Sequence, residues 1–171
     1  MANKNQQGSA PICELIGNVW HVEKQGESDK VVSISSALPK EAVQIQDCQD
    51  VTIHVCSKIT FATISSCKNC SVIFDGVIAS IEVINSVNLK IQIIRRIPSI
   101  SIDKSSQIAL FVSHEGKDVE ITTSLSGEMN LNFPAGADAA GEWIEVPIPQ
   151  QFHHKLVNDR IKSRISDLYS F

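Results

Sequence analysis

The sequence predicts an all-β protein built as a solenoid: about five to six parallel coils, each of short strands and turns, stacked around one continuous core. Three observations predict it. First, aliphatic residues recur every 19 positions: Ile45, Ile64, Val83, Ile102 and Ile121 form one column, and Val43, Ala62, Ile81, Ile100 and Val119 another. Ile34, Ile53, Val72, Ile91, Leu110 and Met129 make a third, Val32, Val51, Cys70, Leu89 and Ile108 a fourth, and Val55, Phe74, Ile93 and Val112 a fifth. Second, apolar positions within a repeat lie two apart, as in Val51, Ile53 and Val55, which is the period of a strand. Third, a column of small residues (Cys48, Cys67, Ser86, Ser105, Ser124) falls where a bend crowds the interior. A repeat of 19 residues is too short for two strands and a crossover helix, so coils of strand and turn remain.

The elements follow in order. Residues 1–10 are polar and predict a disordered lead-in. Residues 12–26 alternate around Leu15, Val19, Trp20 and Val22 and predict a strand capping the first coil. Residues 30–133 carry the repeats, punctuated by turn signals such as Lys68-Asn69, Asp75-Gly76, Asn85-Ser86 and Ser126-Gly127. Residues 134–150 predict a flexible loop and a strand at Trp143–Val146. The tail is ambiguous: Val157, Ile161, Ile165 and Leu168 sit at helical spacing, while Arg160 to Ile165 also alternates. Both ends of such a stack expose unpaired strand edges, and a hairpin from residues 119–150 suits pairing with a second copy.

Composition narrows the function. With 171 residues, 43% hydrophobic but only 5% aromatic, the chain suits one domain with an Ile/Val/Leu/Cys core. A formal net charge of -4 argues against a nucleic-acid partner, which requires a basic face. No apolar stretch approaches the length of a membrane span, and the polar start MANKNQQGSA lacks the apolar run of a signal peptide. With five cysteines, an odd count, these features predict a cytoplasmic location without membrane association.

No motif declares an enzyme. Cys67-x-x-Cys70, with Cys48 and Cys56 nearby, invites a zinc or redox reading, but Cys67 takes the place of Ser86 and Cys70 that of Leu89, so core packing is expected. His21, His54, His114 and His153-His154 are scattered, so neither metal nor cofactor is expected. Outward positions are mostly neutral rather than the paired carboxylates of a polysaccharide hydrolase. Glu82, Lys90, Gln92, Asp103 and Lys104 alternate with inward aliphatics and are expected to share one flat, mixed-charge sheet surface. Such a surface suits protein recognition better than capture of a small molecule.

The segments VIFDGVIASIEVINSVNLKIQI (72–93), IPSISIDKSS (97–106), SGEMNLNFP (126–134) and EVPIPQQF (145–152), with NVWHVE around Trp20, resemble the C-terminal domain of cyclase-associated protein. The resemblance runs from Leu15 to Phe152, so the expected domain is 11–152, with 153–171 as a C-terminal tail. It implies a right-handed parallel β-helix with a C-terminal β-hairpin exchanged in a homodimer. It also implies binding of monomeric, preferentially ADP-loaded actin, faster nucleotide exchange and monomer recycling, in a cytoskeleton-associated role without catalysis. The ending NDRIKSRISDLYSF departs from the family's usual one.

Carried onto this chain, the candidate actin-binding residues are Asp75, Glu82, Asn85, Asn88, Lys90, Asp103, Lys104, Glu128 and Asn130. Asn85 and Asn88 read equally well as turn formers. Two other functions compete. Arg95-Arg96 at a coil corner suggests an arginine finger of a GTPase-activating protein like tubulin cofactor C, though the flanking residues do not match that family's motif. The other is a non-catalytic dimeric scaffold.

Overall fold

The computed structural model describes residues 10–26, 31–136 and 141–169. Most of the lead-in expected at 1–10 and the middle of the loop expected at 134–150 lie outside the described residues. In chain order the strands are β1 (Ile12–Ile16), β2 (Val19–Glu23), β3 (Val31–Ile34), β4 (Ala42–Gln46), β5 (Thr52–Ser65), β6 (Lys68–Ile84) and β7 (Val87–Ile93). They continue as β8 (Ser99–Asp103), β9 (Ser106–Val112), β10 (Glu120–Ser124), β11 (Gly127–Pro134), β12 (Trp143–Pro147), β13 (Phe152–Val157) and β14 (Arg160–Ile165). The only helical pieces among the described residues are 3₁₀ turns at His114–Gly116 and Asp167–Tyr169.

These strands make a β-solenoid of about 6 turns, at the upper end of the expected number. A first stack of parallel strands joins β2, β4, the second halves of β5 and β6, β8 and β10. A second joins β3, the first halves of β5 and β6, β7, β9 and β11. The inward rows are sealed: Ile45, Ile64, Val83 and Ile102 are all 0% exposed, and Phe74, Leu89, Ile91 and Leu110 likewise. Each such side chain contributes roughly 1.5–3 kcal/mol on burial, offset by the entropy of ordering its coil.

The 19-residue columns hold through the middle of the stack and slip at both ends. Ile45–Ile64–Val83–Ile102 and Val55–Phe74–Ile93–Val112 stack in register as expected. At the far end, however, Ile121 lies over Ile100 and Met129 over Ile108, a displacement of two residues from the sequence columns. The extra residues sit in the 3₁₀ turn His114–Gly116 that widens this coil. At the near end Val32 pairs with Ile53 and Ile34 with Val55, again shifted by two. A two-residue shift keeps inward residues inward, so the core survives a longer coil where a shift of one would turn it inside out.

The stack ends are closed by antiparallel strands. Residues 12–26, expected as one strand, fold as two, because Gly17 takes φ 64 and reverses the chain between β1 and β2. The first coil is pinned by Glu41, whose Oε2 accepts the Trp20 indole N–H at 2.9 Å and the Leu38 backbone N–H at 3.0 Å. The Leu38 amide, then Trp20, holds this carboxyl below the usual carboxylate range. At the other end β12 pairs with β11, and Trp143 packs edge-on against Phe111 with ring centroids 5.9 Å apart.

The tail resolves the ambiguity of its spacing: β13 and β14 form a separate two-stranded antiparallel hairpin. Asn158 and Asp159 turn it with φ 51 and 57, the two left-handed positions of a tight hairpin turn. Since β13 begins at Phe152, the expected division between 152 and 153 falls inside a strand.

Candidate functional site

The corner joining the two stacks gathers most of the candidate surface residues, and its backbone is specified coil by coil. Asp47, Ser66, Asn85, Lys104 and Leu125 adopt positive φ of 48–54, and Asp50, Asn69, Asn88, Gln107 and Glu128 adopt 52–59. Each corner is thus a pair of left-handed residues bracketing one that points inward. Asn and Asp tolerate this conformation better than other side chains, which accounts for their frequency here. Asn85, Asn88, Lys104 and Glu128 therefore have a backbone role whatever else they touch.

Inside the corner, serines knit the coils. Cys67 N–H donates to Ser86 Oγ at 3.2 Å, Ser86 N–H to Ser105 Oγ at 3.1 Å, and Ser105 N–H to Ser126 Oγ at 3.1 Å. Each hydroxyl donates in turn to a carbonyl two residues back, at 2.9 Å to Ile84, 2.9 Å to Asp103 and 2.7 Å to Ser124. Ser126, not Ser124, therefore completes the small-residue column, consistent with the two-residue slip. In earlier coils Cys48 and Cys67 fill this position, and their thiols face the Gln46 and Ser65 carbonyls at 3.3 Å. Cys70 is fully buried beside them. Hydrogen bonding to Cys48 and Cys70, then burial, pushes the Cys67 thiol well above its usual range, so it remains protonated.

Outside, Asn69 Nδ2 donates to Asp50 Oδ1 at 3.0 Å and Asn88 Nδ2 to Asn69 Oδ1 at 2.9 Å, a side-chain ladder along the ridge. Hydrogen bonds from Gln49 first, and from Asn69 of the ladder second, hold Asp50 below the usual carboxylate range. Asp50 and Asn69 were not among the sequence candidates. The signal was available, since Asp50, Asn69 and Asn88 occupy one column of the repeat.

The remaining candidates flank this ridge. Glu82 and Asp103 stand on the first stack, where Ser101 pairs with Glu82 and Asp103 with Ile84. Lys104 Nζ lies 3.7 Å from Asp103 Oδ2 on the exposed corner. Lys90 projects from the second stack beside Ala109, whose next neighbour is Asn130. The small alanine leaves Lys90 and Asn130 standing clear, about 9.6 Å apart along the stack. Asn130 Nδ2 donates to Glu145 Oε1 at 2.6 Å, tying the last coil to β12.

One expectation needs correction. Glu82, Lys90, Gln92, Asp103 and Lys104 do not share one sheet surface: Lys90 and Gln92 belong to β7 in the second stack, Glu82 and Asp103 to the first. They meet only around the corner, because the turn at Asn85–Asn88 lies between Glu82 and Lys90. Asp75 is separate, at the far end of its second-stack segment, 3.4 Å from Arg95 Nε. That Arg95 lines an open cleft with Lys58, Arg96, Pro98 and Glu115 and already has a carboxylate partner.

The corner is a mixed-charge ridge whose backbone is set by paired left-handed turns and laced by the Asp50–Asn69–Asn88 ladder. Comparison with known proteins agrees with the fold. The family model "Adenylate cyclase associated (CAP) C terminal" matches residues 9–168. Rat adenylyl cyclase-associated protein 2 is 37% identical over 150 residues, covering 88% of this chain and 30% of that protein. Human adenylyl cyclase-associated protein 1 is 33% identical over 141 residues, covering 82% of this chain and 29% of its own length. This chain therefore spans about a third of the curated relatives it matches. The crystal structure of cyclase-associated protein from Cryptosporidium parvum superposes with a TM-score of 0.85 at 32% identity, covering 93% of this chain and 97% of that one. With the repeats, the corner and the closing strands all accounted for, the chain belongs to the cyclase-associated protein family, as its C-terminal β-solenoid domain.

Proposed function

We propose that this domain binds actin monomers, prefers the ADP-loaded form and speeds exchange of ADP for ATP without catalysing a covalent step. The observation that carries the reading is the corner: Asn85, Asn88, Lys90, Asp103, Lys104, Glu128 and Asn130 project from successive coils whose left-handed turns fix the backbone. A preorganised ridge loses little conformational entropy on docking. Exchange accelerates if the ridge binds an actin state with an open nucleotide cleft more tightly than the closed ADP state. Only that difference in affinity can shift actin's equilibrium.

The same reading includes a homodimer. Phe152, Leu156, Ile161 and Ile165 lie on one side of the terminal hairpin and are 47–65% exposed. An apolar hairpin face of this kind, beside the unpaired edge of β12, suits exchange with a second copy. Two corners on one dimer would hold two monomers and raise local rebinding. The expected location is the cytoplasm, with the actin cytoskeleton.

The test is release of a fluorescent ADP analogue from purified actin titrated with this protein. Lys90→Ala combined with Lys104→Ala is expected to weaken the acceleration roughly tenfold, if the two lysines together contribute about 1.4 kcal/mol to docking. Its melting temperature should stay at the wild-type value. Unchanged exchange in this double variant removes the corner as the actin face.

A further inference from the structure

The terminal hairpin has a second side that neither the actin reading nor the apolar seam uses. In an antiparallel pair, directly opposed residues share a face and faces alternate along each strand. The register Phe152↔Ile165, His154↔Ser163 and Leu156↔Ile161 defines the apolar side. The other side holds His153↔Arg164, Lys155↔Lys162 and Val157↔Arg160. Four of the chain's 15 Lys and Arg, plus a histidine, thus stand on one face of a short hairpin, in a chain whose net charge is -4. All five side chains are exposed.

This arrangement opposes the hairpin's own stability. Like charges set directly across a ladder repel, and Lys155 faces Lys162 while His153 faces Arg164. Arg164 gains relief from Asp167, with a second contact at 3.3 Å, and the same carboxylate also acts on His153. Among the described residues Lys155, Arg160 and Lys162 form no ion pair. The positions repeat every second residue, about 6.8 Å apart along each strand. An extended chain carrying carboxylates on alternate residues has the same spacing and would lie along the hairpin with its anions between the basic side chains of the two strands.

We propose that this cationic face is a docking surface for an acidic, extended polypeptide segment with Asp or Glu at alternate positions. Protein is favoured over nucleic acid because the face offers no Phe, Tyr or Trp platform for bases; Phe152 lies on the opposite side. It is favoured over a membrane because the apolar residues also lie opposite, so they cannot enter lipid while the cations touch headgroups. The acidic remainder of the chain further repels any large planar polyanion within a Debye length.

The experiment uses the full chain and a fluorescein-labelled synthetic peptide of alternating Glu and Thr, read by anisotropy at low and physiological salt. Saturable, salt-weakened binding is expected, with none for the Gln-Thr counterpart. Lys155→Gln with Lys162→Gln should lose about tenfold in affinity, while Lys155→Arg with Lys162→Arg retains binding. Light-scattering mass and melting temperature report the fold of each variant. The proposal is overturned by absence of saturable binding, by equal affinity of the Gln variant, or by tighter binding to phosphatidylserine vesicles or an oligonucleotide. A change of mass in the folded Gln variant also overturns it, because the face would then lie between two copies of the chain.

Discussion

The solenoid body and the terminal hairpin are both β-structure, yet they solve burial in opposite ways. In the body every coil hides its aliphatic side against the coils above and below, so Val83 and Ile102 are inaccessible to solvent. In the hairpin Leu156 and Ile161 remain 65% and 64% exposed, and almost nothing is buried. An isolated two-stranded hairpin is marginal in water, so its apolar side calls for a partner surface. The body carries its stability internally; the hairpin leaves its apolar side exposed.

The largest expected effect breaks the body. Val83→Asp places a carboxylate directly between Ile64 and Ile102 of the adjoining coils, and should destabilise the protein by about 3–5 kcal/mol or more. Urea unfolding monitored by circular dichroism measures this, and a near-wild-type midpoint would contradict the inward assignment. The next effect separates the two regions. Leu156→Asp with Ile161→Asp should halve the mass seen by light scattering, yet shift the unfolding free energy by under about 1 kcal/mol, as expected of exposed positions. An equally large loss in the body's stability would show that the hairpin is part of its core.

The smallest effect sharpens the dual role of the corner. Asn88→Ala should cost about 1 kcal/mol because alanine resists the left-handed conformation, whereas Asn88→Gly should be near neutral. If the glycine variant keeps wild-type stability but accelerates actin exchange less, the amide has a contact role beyond its turn. Equal behaviour in both assays would leave Asn88 as a turn former alone.

The same division explains how far the sequence could be read. The middle coils were legible because their length is constant, so Ile45, Ile64, Val83 and Ile102 announce one column directly. The ends were misregistered because the turn at His114–Gly116 adds residues without altering the alternation, leaving Ile121 as plausible in one column as in the next. The hairpin was obscure for a related reason. A spacing of four residues fits a helix, but it is also even, so Ile161 and Ile165 satisfy either structure until pairing decides, and Val157, across the turn, falls on the opposite side. The candidate residues were found individually, while their division between two stacks was not, because a 19-residue column does not reveal where the chain turns.

One detail at the exit bears on how a second subunit would be held. Gln150 Oε1 accepts the Glu128 amide at 2.7 Å and sits 2.3 Å from where a Cβ on Gly127 would project, so any larger residue there would evict it. Ile148 N–H is fixed to Met129 O at 2.8 Å just before it. The connector is therefore bolted to the last winding as far as Gln150, and the arm pivots over no more than the next residue or so. A joint that short acts as a stiff bracket rather than a tether, setting the distance and angle between whatever loads the two halves carry.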